Sequence, residues 1–293
     1  MDNVLFTRKN CQIITDDSCC LDNEELMDLH VIAIPYQATI KEAEKFLENA
    51  LKKKEFVLFV GTAKSLSDIN ETVQQAAENL DEKDKGLNTE KRVKIFNTSS
   101  FSGGLGFFVK LFSEFIYSGK TEDEADGYSV FLANHITHFF VEPSEKRWNK
   151  LIYVPRTGVV NFDGGKFRGN RGVYNYITEI FQEYAYHPEE EIWVCYSDEE
   201  TEARNLVKHF KHHCPDSSVD MSHQIAPNTV ESLSESIVSC FFLSRDVRPD
   251  EPSSNPKYGH FEEIEEKKEL AKRNITAISK YGQAFLADPN PEF

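Results

Sequence analysis

The sequence predicts an α/β protein of two lobes: an N-terminal lobe with a parallel sheet in α/β/α layers over residues 1–120, a C-terminal α+β lobe over 121–244, and a helical extension over 245–293. Three observations carry this. Short apolar runs alternate with longer helical patterns up to Gly119, the order expected of βα units around a parallel sheet. One run, Phe56 to Gly61, is apolar almost throughout, which suits a strand buried on both faces. After Gly119 strands cluster, and an Asp163-Gly164-Gly165 hairpin signal appears.

In order, Gln12–Thr15 reads as a strand, Leu21–Leu29 as a helix behind cap-type Asp16, Asp17 and Ser18, Val31–Pro35 as a strand and Ile40–Leu51 as a helix. Phe56–Gly61 is the third strand, Asp68–Leu80 a helix, Asp81–Lys91 a polar loop, and Val93–Phe96 the fourth strand. A helix opens at Ser100–Gly106 and stops at Ser118-Gly119. The second half reads as helix Glu122–Asn134, strands His138–Glu142, Leu151–Pro155 and Val159–Phe162, helix Gly172–Tyr184, strand Glu191–Tyr196, helix Glu199–His212, strand Ser218–Gln224 and helix Val230–Leu243. Residues 246–257, rich in Pro, Ser, Asp and Glu, read as a linker. Phe261–Lys280 resumes a helix whose narrow apolar stripe is Phe261, Ile264, Ala271, Ile275 and Ile278.

Composition narrows the function. A net charge of -16 repels phosphate backbones and anionic headgroups, so nucleic acid is not the expected partner. No early stretch has the form of a signal peptide. The most apolar segment, Phe101–Tyr117, carries Lys110 and Glu114 and is short for a bilayer span. The six cysteines, at 11, 19, 20, 195, 214 and 240, have neither zinc spacing nor the density of a disulfide scaffold. A cytoplasmic protein without stable membrane insertion, metal or cofactor is expected. Adjacent Cys19 and Cys20 read as small packed residues.

Every expected strand end of the first half is followed by hydroxyl or acidic residues: Thr15, Asp16, Asp17 and Ser18; Thr62, Ser65 and Ser67; Thr98, Ser99, Ser100 and Ser102. Ligands of open parallel sheets bind at the carboxyl ends of the strands. Backbone amides at the Ser102–Gly106 helix start, with Gly104 allowing close approach, suit an anion such as a carboxylate. The competing reading is that these hydroxyls are ordinary helix caps. Gly103, Gly104 and Gly106 do not fit dinucleotide spacing, there is no phosphate-loop Lys-Ser or Lys-Thr pair, and no Gly-x-Ser-x-Gly elbow occurs.

The chain resembles the DegV family of fatty-acid-binding proteins. The likeness lies in Ile13-Ile14-Thr15-Asp16-Asp17-Ser18, Val31–Pro35, Ser65-Leu66-Ser67 ahead of Ala76-Ala77-Glu78, Ser102-Gly103-Gly104-Leu105-Gly106, Asp163–Lys166, Arg168-Gly169 and Ile225-Ala226-Pro227. It runs in order over residues 11–244. The resemblance implies a non-enzymatic carrier that holds a fatty acid between two lobes and presents its carboxylate to a separate fatty-acid kinase. It places Ser67 at that carboxylate and Arg168 on the kinase-docking segment; Thr62, Ser102, Gly104, Asp16 and Ser232 complete the expected ligand contacts, and Arg171 the expected docking contacts. The family's Thr-Ser pair between the second and third strands is missing, its Gly-Thr-Tyr is Asp68-Ile69-Asn70, its His-Thr-Gly is Ser232-Leu233-Ser234, its Arg-Lys-Gly-Gly-Arg is absent near residues 142–150, and Asn170 replaces the docking segment's second Arg.

Other constellations have plain readings. His135 and His138 lack a third metal ligand nearby, and His209, His212, His213 and Cys214 end a helix where cations favour the dipole. Phe107, Phe108, Phe112 and Phe115 line an acyl tunnel or fill the core. Two alternatives to the carrier stand: a degenerate interaction protein that has lost the ligand, and an enzyme using Asp16 or Asp17 as a base.

Overall fold

A computed structural model of the chain describes residues 4–83, 88, 92–142, 148–154, 161–225 and 236–245. The first sheet is parallel, with strands β1 (Cys11–Asp16), β2 (Val31–Ile34), β3 (Phe56–Gly61) and β4 (Val93–Asn97) in the order β2-β1-β3-β4. Its helices are α1 (Asn23–Asp28), α2 (Ile40–Leu51), α3 (Ile69–Lys83) and α4 (Gly103–Tyr117). Helix α2 begins and ends where expected because Thr39 and Glu42 form a capping box that satisfies orphan amides reciprocally.

The second sheet has six strands: β5 (Ile136–Glu142), β6 (Trp148–Tyr153), β7 (Asn161–Arg168), β8 (Glu191–Tyr196), β9 (Ser218–Asp220) and β10 (Val238–Leu243), in the order β7-β6-β5-β10-β8-β9. All its pairings are antiparallel except β8 with β9. Helices α5 (Glu122–His135), α6 (Gly169–Tyr184) and α7 (Glu200–His213) complete the described elements.

Period-2 alternation builds the layers. On β5 and β10, Phe139, Val141, Cys240 and Phe242 pack under α6 and α7, whereas Ile136, Phe140 and Phe241 face the other way. On the first sheet, Ile14, Val57 and Phe59 pack against α2 and α3, while Ile13, Leu58 and Val60 face inward. Helix α4 fills the space between the two sheets. Its Leu105, Phe107, Phe108, Val109, Phe112 and Ile116 are all buried, the pattern of a helix covered over most of its circumference, with Lys110 and Glu114 on the open face. This is why Phe101–Tyr117 is the most apolar segment. No described helix is long and apolar enough to cross a membrane.

Several expectations are corrected. The expected helix Val230–Leu243 is strand β10 at 238–243, hydrogen-bonded on both edges to β5 and β8; 226–235 lie outside the described residues. A continuous apolar run buried on both faces has no period that separates strand from helix. Nor do Asp163-Gly164-Gly165 form a turn: they lie inside β7, where Gly165 pairs with Leu151, and the ladder shifts register between Leu151 and Tyr153. Of the expected Val159–Phe162 strand, residues 161 and 162 open β7 and 159–160 lie outside the described residues. The expected strand to Gln224 ends at Asp220, and Gln224 rejoins the sheet through an isolated bridge to Tyr196. The 245–293 extension beyond Arg245 lies outside the described residues.

Candidate functional site at the carboxyl ends of the parallel strands

Asp16 closes β1 and is fully buried. One carboxylate oxygen, Oδ2, accepts the Thr62 amide at 2.7 Å. The other, Oδ1, accepts from Ser18 N at 3.1 Å, Ser18 Oγ at 2.5 Å and Thr62 Oγ1 at 3.0 Å. Ser18 Oγ and Thr62 Oγ1 are themselves 2.8 Å apart. Three oxygen–oxygen contacts thus share two hydroxyl protons. Burial pushes the Asp16 carboxyl up, against the pull of those hydrogen bonds.

A carboxyl whose folded-state pKa is raised adds stability that is fully present below its unfolded value, about 3.9, and that is lost as pH rises through the folded value. The stability of the native chain relative to Asp16→Asn is expected to fall as pH rises from about 4. Urea unfolding of both proteins across pH checks this; a difference that grows with pH contradicts it.

Thr62 follows β3, and its carbonyl accepts from buried Asn70 Nδ2 at 2.6 Å. Ser67 is half-buried and accepts the Ile69 amide at 3.2 Å at the start of α3. Tyr36 covers this loop, its hydroxyl donating to the Leu66 carbonyl at 2.8 Å and its amide to Asp17 Oδ1 at 2.7 Å. Asp68, beside Ser67, is exposed. From the loop after β4, Thr98 Oγ1 donates to the Gly61 carbonyl at 2.9 Å, and Ser100 Oγ lies 3.2 Å from His138 Nε2.

Ser102 is not a helix cap in the ordinary sense. It makes no side-chain cap bond; its Oγ lies 3.2 Å from Cys20 Sγ. Its φ is 55°, and Ser99 at 49° and Cys20 at 60° share the left-handed region, which costs a non-glycine residue energy and clusters at functional sites. Gly104 must be glycine because an added Cβ would lie 2.7 Å from His138 Nε2.

Sequence reading placed Asp16, Thr62, Ser67, Ser102 and Gly104 on this rim, and the structure brings Asp16, Ser18 and Thr62 into one network. Ser232 lies outside the described residues. Arg168 and Arg171 are exposed at the start of α6, beside edge strand β7. Asn170 between them is held by Asn149 and Glu202. Sequence reading missed Cys20, Tyr36 and His138 as rim residues. His135 does not join His138: its Nδ1 meets the Ser244 carbonyl at 2.8 Å. Among the described residues no group of three or more His, Cys, Asp and Glu is placed to hold a metal.

Behind the rim the two sheets meet through aromatic rings. Phe101 stacks on Phe140 with centroids 5.0 Å apart, and Phe140 meets Phe241 edge-on at 5.6 Å. Phe107 meets Trp193 at 5.3 Å. Buried His223, stacked on Trp193 at 3.8 Å, holds Glu25 of α1 at 2.7 Å and ties the sheets at their edge.

No family model and no curated protein matches the chain. Solved structures do. A DegV-family protein from Corynebacterium glutamicum superposes with a TM-score of 0.69 at 16% identity, over 82% of this chain and 99% of its own. A fatty-acid-binding DegV-family protein from Thermus thermophilus gives 0.68 at 14%, over 80% and 99%. A stearic-acid-binding protein from Eubacterium ventriosum gives 0.66 at 13%, over 79% and 98%. The chain therefore has the DegV fold.

Proposed function

We propose that the chain binds a long-chain fatty acid, with the carboxylate at the hydroxyl rim and the acyl chain in the aromatic layer between the sheets. One observation carries this reading: loops from β1, β3 and β4 bring hydroxyls to the border of a layer built from phenylalanine, a polar end on an apolar interior. Solved structures of the same fold include fatty-acid-binding proteins. Ser67 and Ser102 would donate to the carboxylate, with amides near Gly104, and Thr62 would do so by turning its hydroxyl away from Asp16; Ser232 is a further contact. The bound acid is handed to a separate cytoplasmic fatty-acid kinase that docks at Arg168 and Arg171. The carrier does no covalent chemistry and uses no cofactor.

A second reading, an interaction protein that no longer takes up ligand, is favoured by one observation. Leu105, Phe108, Phe140, Phe241 and His138 are fully buried. An acyl chain entering there must displace side chains. Titration calorimetry of palmitate into the delipidated protein separates the readings. Because hydrogen bonds to a charged group are worth about 1.5–3 kcal/mol, Ser67→Ala and Ser102→Ala are each expected to weaken binding roughly 10- to 100-fold. Unchanged affinity in both variants removes the rim from the site, and no uptake by the native chain favours the second reading.

A further inference from the structure

The rim loop after β1 leads into a cover over the seam of the two sheets. Residues 21–29 carry α1, whose Leu26 is buried in the same core as Phe140 and Phe241, with Leu21 and Leu29 packed against that core. Its outer residues Asn23, Glu24, Met27 and Asp28 are exposed. A helix of six residues is marginal by itself, so what holds it down matters.

Both ends of the cover are pinned in the same unusual backbone conformation. Cys20 has a φ of 60° and His30 of 54°, the left-handed region that non-glycine residues keep only where their surroundings enforce it. The Cys20 thiol lies 3.2 Å from Ser102 Oγ. The His30 carbonyl accepts from Gln12 Nε2 at 2.9 Å and from the Tyr117 hydroxyl at 3.0 Å.

Between these points one bond reaches the other lobe. Glu25 divides its carboxylate: Oε2 accepts the Asp22 amide at 2.8 Å within the α1 capping box, and Oε1 meets His223 Nε2 at 2.7 Å. Among the described residues this is the one hydrogen bond or ion pair from 22–29 to any residue outside 21–30. His223 is held in place from its own side. Its ring is buried and stacks on Trp193 at 3.8 Å, and its Nδ1 faces Ser222 Oγ at 3.3 Å and Asp220 Oδ2 at 3.9 Å.

We propose that residues 21–29 are a lid on the seam, hinged at Cys20 and His30 and latched by Glu25 to His223, and that lifting it admits the acyl chain; this last step rests on the fatty-acid reading above. Cys20 touches the rim at Ser102 and Leu26 reaches the core behind it, so a lifted α1 uncovers the seam beside the expected carboxylate position. Hinges of this kind concentrate the φ and ψ change in a few residues at element ends.

His223→Phe keeps a ring on Trp193, removes the latch bond and leaves Glu25 to cap α1. Hydrogen exchange on the full-length chain without ligand reads the latch, with β3 amides as the reference for intact folding, and stopped-flow mixing with the fluorescent fatty acid cis-parinarate reads entry. Expected are amides of 26–30 that exchange about tenfold faster in the variant, with β3 unchanged. Parinarate association and dissociation should both quicken by about the same factor, leaving affinity nearly unchanged, whereas damage to the site itself would act mainly on dissociation. Equal exchange at 26–30 in both proteins overturns the proposal. So does faster exchange with unchanged parinarate rates, which makes α1 loose but not the entry. If neither protein takes up parinarate, the fatty-acid reading and the entry step fall together, and exchange at 26–30 still decides the latch.

Discussion

Gly106→Ala is expected to destabilise the protein by about 3 kcal/mol or more, at the upper end of the cost of overpacking a core. A Cβ at this position would lie 2.1 Å from the Cys19 carbonyl oxygen and 3.2 Å from the Trp193 ring. Neither neighbour yields easily. The Cys19 backbone is held between Asp16, whose carbonyl accepts the Cys19 amide at 3.3 Å, and the Ser18 bonds to the Asp16 carboxylate. Trp193 is buried between Phe107 and His223. Relief therefore requires α4 to withdraw from the β1 loop, which dismantles the rim. Gly119→Ala is the comparison: nothing lies within 4 Å of its added Cβ and only a φ of +89° opposes it, so a cost of about 1 kcal/mol is expected. Urea unfolding of the two variants measures both. Equal costs would mean that α4 does not seat against Cys19.

The second large effect is at Phe140, which is fully buried between Phe101 of one layer and Phe241 of the other. Phe140→Ala removes a ring from the seam of the two sheets and is expected to cost about 3–5 kcal/mol. The cavity left behind is apolar, stays dry and accepts apolar ligands. If the acyl chain runs through this seam, saturating fatty acid should recover part of the lost stability in the variant, by mass action on the folded state. Thermal unfolding with and without palmitate reads this out. A loss of stability that palmitate leaves untouched places the acyl chain elsewhere.

Much of this fold was legible because local signals agreed with the tertiary outcome. The Thr39 and Glu42 capping box fixed α2, and the unbroken apolar run of β3 announced a strand covered on both faces. The apolar excess of Phe101–Tyr117 argues against a membrane span only through Lys110 and Glu114, and its cause is the packing of most of α4 between two sheets. Val238–Leu243 failed because six consecutive buried residues suit a central strand as well as a buried helix. Asp163-Gly164-Gly165 failed because turn chemistry is a local preference that β7 pairing overrides.

The rim was legible as far as chain order reveals it. Asp16 ends a strand and Thr62 and Ser102 follow one, so parallel topology alone brings them to one edge. His138 reaches Ser100 from the second sheet across 38 residues, and no spacing rule anticipates that. Cys20 reads as a packed residue in the sequence, yet its half-buried thiol faces Ser102. Both lie where the two layers meet, and that juxtaposition is set by packing of α4 rather than by any motif.

The central claim is ligand occupancy, and native mass spectrometry of the purified full-length protein, followed by organic extraction of whatever it carries, tests it most directly. The account predicts a stoichiometric mass excess that resolves to a long-chain fatty acid. A clean mass of the chain alone, unchanged after incubation with fatty acids, would contradict it.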